Sequence, residues 1–156
     1  TRRIKTGSFQ TLELCNSGVS SEFSIFLNGC TFYRIPGSHS SVRFTSQEPI
    51  EFFLRSFLDT SDPRAAFFPV RDPNLFELFQ CEVEDESRKV ILSDQGFAST
   101  TTIAGRPLTV KLAGSASFSL SPTGALGPGE YVIRYPLERD HARLFCFGID
   151  PAPQLP

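Results

Sequence analysis

The sequence predicts a single, nearly all-β domain, an antiparallel sandwich of immunoglobulin-like or jelly-roll type with about nine to eleven short strands. Three observations carry this. Short β-rich or alternating runs recur every eight to twelve positions with turn residues between them, the spacing of a sandwich or barrel. Sixteen phenylalanines stand against no tryptophan and no methionine, and Phe is a bulky core residue that favours strands. With 40% hydrophobic and 21% charged residues in 156, the chain is globular and long enough to close one core.

The strands expected in order are Ser8 to Leu14, Glu22 to Leu27, Cys30 to Ile35, Ser41 to Thr45, Ile50 to Phe57 and Phe76 to Glu84. Lys89 to Leu92, Leu108 to Leu112, Ser117 to Leu120, Tyr131 to Tyr135 and Arg143 to Ile149 complete them. In Leu108-Thr109-Val110-Lys111-Leu112 strict alternation gives one wet and one buried face. Ile50-Glu51-Phe52-Phe53-Leu54 and Leu144-Phe145-Cys146-Phe147 are apolar on both faces. In a two-layer sandwich such strands need a loop or a partner over the outer face.

Between the runs, Asn28-Gly29 reads as a type I′ hairpin turn. Pro36-Gly37, Pro122-Thr123-Gly124 and Gly127-Pro128-Gly129 are further turns, with positive φ expected at Gly129 in a type II turn. One helical turn is expected around Asp72 to Leu78, capped by Asp72 with Pro73 at its first position. Residues 1–150 form one domain, and the Pro-rich 151–156 tail is expected to fray.

A formal charge of -2 is too small to steer the chain to nucleic acid or an anionic membrane. No run of eighteen apolar residues marks a transmembrane helix, and the opening Thr1-Arg2-Arg3 reads as a mature or trimmed start. Cys15, Cys30, Cys81 and Cys146 form no C-x-x-C pair, and neither His39 nor His141 sits at metal-ligand spacing from them. Two disulfides in any of three connectivities fit the count, as do four buried thiols; if oxidation occurs, Cys15 with Cys30 is expected first. No cofactor or metal motif is present in the sequence.

Catalytic signatures are thin. No G-x-S-x-G elbow occurs, and Gly114-Ser115-Ala116-Ser117 reads as a turn. His39 lies in a polar turn and His141 at a solvated hairpin tip. Alternation places Glu82 and Glu84 on one strand face about 7 Å apart, the spacing of a glycosidase pair, although a charged hairpin end that keeps an edge soluble explains them more simply.

The stretch Asp59 to Leu75 is the longest loop, and in it Phe67 and Phe68 lie between Arg64 and Arg71. Arginines with aromatics have the composition of a recognition patch, so these four are the candidate binding residues. The competing expectation is that the two rings fold back over the open end of the sandwich.

Leu126-Gly127-Pro128-Gly129-Glu130-Tyr131, then Phe145-Cys146-Phe147-Gly148-Ile149-Asp150, resembles a loose group of bacterial β-sandwich proteins, many exported, that carries no assigned activity. Arg88-Lys89-Val90-Ile91-Leu92 followed by Gly96-Phe97 matches the same group, and the resemblance covers about the C-terminal half of the chain. It implies a sandwich and an exported, periplasmic or surface location. Together these readings predict a non-catalytic binding domain for a protein or surface ligand. The alternatives are a structural subunit that homo-oligomerises or joins a larger assembly through its surplus apolar faces and, more distantly, a hydrolase built on Glu82 and Glu84.

Overall fold

The structure is a computed structural model. It describes residues 2–3, 9–10, 12–15, 18–23, 29–46, 49–55, 72–96, 99–114, 117–137 and 142–152. It is nearly all β and sandwich-like, and the helix among the described residues is one 3-10 turn of three residues. The strands are β1 (Arg2–Arg3), β2 (Phe9–Gln10), β3 (Glu13–Cys15), β4 (Gly18–Phe23), β5 (Gly29–Pro36), β6 (Arg43–Thr45), β7 (Phe52–Arg55) and β8 (Glu77–Gln80). They continue with β9 (Glu82–Val83), β10 (Ser87–Gln95), β11 (Thr100–Thr102), β12 (Arg106–Gly114), β13 (Ser117–Pro122), β14 (Gly129–Pro136) and β15 (Ala142–Asp150).

Fifteen strands among the described residues exceed the nine to eleven expected. Two expected runs are broken, into β2 with β3 and into β8 with β9, while β1 and β11 have no apolar pattern to betray them. The break at Cys81 has a cause: its N–H donates to the Glu130 carbonyl at 2.8 Å, and there the chain leaves one sheet for another.

Ten strands form one sheet in the order β2-β1-β7-β13-β12-β8-β14-β15-β3, with β6 added parallel to β15; every other pairing is antiparallel. β12 bends this sheet. Its Arg106 and Pro107 pair with β8, and from Leu108 onward it pairs with β13. The two halves therefore face each other across one core, where Phe52, Leu108 and Leu120 meet Leu78, Tyr131, Ile133, Phe147 and Ile149. Phe147 is its hub, with ring centroids 5.0 Å from Phe52 and 5.5 Å from both Phe44 and Tyr131.

The smaller sheet, β11-β10-β5-β4 with β9 on β10, covers the other face of β8, β14 and β15. There Tyr33, Ile35 and Val90 pack against Phe79, Val132, Leu144 and Cys146. The molecule thus has three layers. Alternation sends Phe145, Phe147 and Ile149 of β15 into or against the first core and Leu144 and Cys146 into the second. The two-sided apolar pattern of this strand is met by the chain itself, where a two-layer reading required a loop or partner. Each large apolar side chain so buried contributes about 1.5–3 kcal/mol.

Coverage ends on the inner face of β7, β13 and β12. Leu54, Phe118 and Leu112 lie side by side in one row; the first two are half-buried and Leu112 is 73% exposed. The alternation of β12 is therefore matched by burial at Leu108 and lost at Leu112, where the row projects past the covering layer.

Several local expectations change. Gly29 pairs with Phe23 and Cys30 with Glu22, so the β4–β5 connection is residues 24–28, outside the described residues, and Asn28-Gly29 is not a two-residue turn. Gly129 does have a positive φ, +152°, but this is far from the +80° of a type II turn, and the residue already pairs with Ile149 in β14. The Tyr131 hydroxyl fixes this entry by donating to the Gly127 carbonyl at 2.9 Å. The expected helical turn is a 3-10 turn, Pro73–Leu75, capped as read: the Asp72 side chain accepts from the Asn74 N–H.

The expected Cys15–Cys30 pairing is replaced by a Cys15–Cys146 disulfide, with Cα atoms 6.5 Å apart, and Cys30 and Cys81 are free thiols. The reason is strand order. β3 lies beside β15 with Cys15 opposite Leu144, whereas Cys30 faces Glu22 on β4. No helix among the described residues is long and apolar enough to cross a membrane.

Candidate functional site: a buried arginine–glutamate cluster

Glu130 shares its face of β14 with Val132, which packs in the second core. Its side chain is 3% exposed, and a carboxylate in that position is tolerated only if it is paired and hydrogen-bonded. Four groups meet it. Ser40 N–H donates to Oε2 at 2.9 Å, and Arg88 Nη1 donates to the same oxygen at 3.4 Å. Arg43 Nη1 donates to Oε1, from which His39 Nδ1 lies 3.3 Å away.

Arg88 reaches inward from β10 and is only 1% exposed, yet its charge is well met. Beyond Glu130, its Nε donates to the Gly37 carbonyl at 2.8 Å and its Nη2 to the Pro36 carbonyl at 3.3 Å. Arg43 comes from the opposite side. On β6 it sits in register with Gly148 of β15, and its guanidinium lies across that residue to join Glu130 to Asp150, with Nη2 to Asp150 Oδ1 at 2.6 Å. A Cβ at Gly148 would overlap the Arg43 guanidinium and crowd the Glu130 carboxylate, so this crossing requires glycine.

The cluster pins the β5–β6 loop from beneath. Arg88 holds Pro36 and Gly37, Glu130 holds Ser40, and Gly148 N–H donates to Val42 O at 2.8 Å. Gly37, at φ +81°, makes the bend and donates to Glu86 O at 2.9 Å. Above these anchors the His39 imidazole stands in solvent with its side chain 72% exposed.

Two guanidiniums balance two carboxylates. Asp150 is held below the ordinary carboxylate range, chiefly by its hydrogen bond from Arg43, and the same bond raises Arg43. Desolvation pushes the nearby Cys81 thiol up to about 12, which leaves it protonated and unreactive at neutral pH. Both Glu130 oxygens are thus engaged, Oε1 by Arg43 with His39 beside it and Oε2 by Ser40 and Arg88.

A second cluster lies on the outer side of the small sheet. Glu84 accepts from Arg34 at 2.7 Å and Ser87 at 2.9 Å and pairs with Lys89 at 2.6 Å. These contacts, Lys89 first, lower its pKa to about 2. Arg34 and Lys89 also lie 5.3 and 4.7 Å from the centroid of the buried Phe32 ring. β9 ends at Val83, so alternation does not carry from Glu82 to Glu84, and a carboxylate this acidic is a poor proton donor at neutral pH.

The candidate binding residues Arg64, Phe67, Phe68 and Arg71 lie outside the described residues, as does His141; of their loop only residues 72–75 are described. Gly114 and Ser117 pair across the end of the β12–β13 hairpin, as the turn reading requires. No group of three or more metal-ligating side chains occurs among the described residues. A cavity of about 190 Å³ lined by Ser46, Pro49, Ile50, Pro122, Gly124, Ala125 and Leu126 brings no charged group to a ligand and is below the usual 300–1,000 Å³.

Sequence reasoning gave Arg43, Arg88 and Glu130 no site role; Arg88 and Glu130 entered only through the segments that carry the family resemblance. The available signal was position: Arg88 and Glu130 each stand two residues from a core valine, Val90 and Val132, on the same strand face. No family model matches the chain, and no curated protein is significantly similar to it.

Proposed function

We propose that this chain is a non-catalytic binding or interaction domain of an exported or surface-associated bacterial protein. The observation that carries the reading is the pinned β5–β6 loop. Its backbone is fixed at Pro36, Gly37, Ser40 and Val42, and it offers an exposed imidazole to solvent. A loop held this way loses little entropy when it meets a partner, and binding residues of sandwiches sit on such loops. The buried acid beneath it is engaged by Ser40, Arg43 and Arg88, as a scaffold requires. The Cys15–Cys146 disulfide favours an oxidising compartment.

The structural-subunit reading began from strands apolar on both faces. For β15 the three layers account for that pattern within one chain, which leaves the β7 run and the uncovered row of Leu54, Phe118 and Leu112 as the support for this reading. The hydrolase reading is weakened in the same way by the ion pairs of Glu84.

The test measures binding by interferometry to a defined panel of purified cell-wall polysaccharide, anionic and neutral lipid vesicles and envelope proteins. The chain is compared with H39A and with the double variant R64A/R71A. H39A should melt within a few degrees of the parent, because the imidazole is 72% exposed and Glu130 keeps Arg43, Arg88 and Ser40. Melting of R64A/R71A is measured alongside, so that a loss of binding is not mistaken for a loss of fold. At least one should weaken the interaction by about 1–3 kcal/mol, or roughly fivefold to more than a hundredfold. Unchanged binding in both would remove these loops from the recognition surface. Hydrolysis of a panel glycan that E84Q abolishes would replace the proposal with the enzyme.

A further inference from the structure

We draw no further inference here: the strongest candidate, the apolar end row of Leu54, Phe118 and Leu112 on the inner face of the bent sheet, carries nothing because nothing in the structure shows what covers it.

Discussion

Gly148 matters for what it lacks. Arg43 can bridge Glu130 and Asp150 only by crossing the one residue of β15 with no side chain in the way. In G148A the guanidinium must leave, and Glu130 then keeps Arg88 and Ser40 but loses its closest cation. Overpacking of this kind costs about 1–3 kcal/mol, so a loss of that size is expected in chemical denaturation. G127A is the control: no atom lies within 4 Å of a Cβ there, and it should melt like the parent. A second residue-scale outcome concerns acid. Glu84 falls from an ordinary 4.5 to about 2 in the folded chain, and Asp150 is shifted the same way. A depressed carboxylate stabilises above its unfolded value and gives that up as pH falls through the folded one, so melting temperature should drop between about pH 4.5 and 2. K89Q should flatten that part of the curve, because Lys89 is the largest cause of the Glu84 shift. None of this was visible in composition, since a charge on a strand reads as surface until the opposing layer is known.

The strands themselves were largely legible, and their partners were not. Runs such as Tyr131 to Tyr135 and Arg143 to Ile149 fall inside β14 and β15 because alternation is a local property of the backbone. Pairing is not local. Asn28-Gly29 is a strong hairpin signal taken alone, yet the β4–β5 register puts Gly29 inside the ladder. Cys15 and Cys146 are 131 residues apart, and only the placement of β3 on the edge of β15 brings them together. β3 has three residues, so the covalent link is a large part of what keeps it there. Thiol titration of the denatured, unreduced chain should therefore count two thiols, those of Cys30 and Cys81; a count of four would abolish the bridge. Replacing both bridged cysteines by serine should lower stability by up to about 5 kcal/mol, the chain-entropy value for a loop of this length.

Seen whole, the molecule is organised around β8, β14 and β15, which lie between two other layers and contribute to both cores. The sequence carried this in the two-sided apolar run at Leu144 to Phe147, but layer number depends on where β12 changes partner, and Pro107, which stands at that point, does not say which strands lie on either side. A chain ending at Leu137 keeps fourteen of the described strands and lacks only β15. It should nonetheless show no cooperative transition in calorimetry, whereas the full chain should show one, because both cores lose a wall. That dependence reaches back to how the protein is made. The β14–β15 hairpin, two of the three strands between the layers, is translated after every other described strand, so until it is made both cores lack most of their middle. Until that hairpin emerges, the strands already made have no inner wall to close on, and both cores form only when the middle layer is in place.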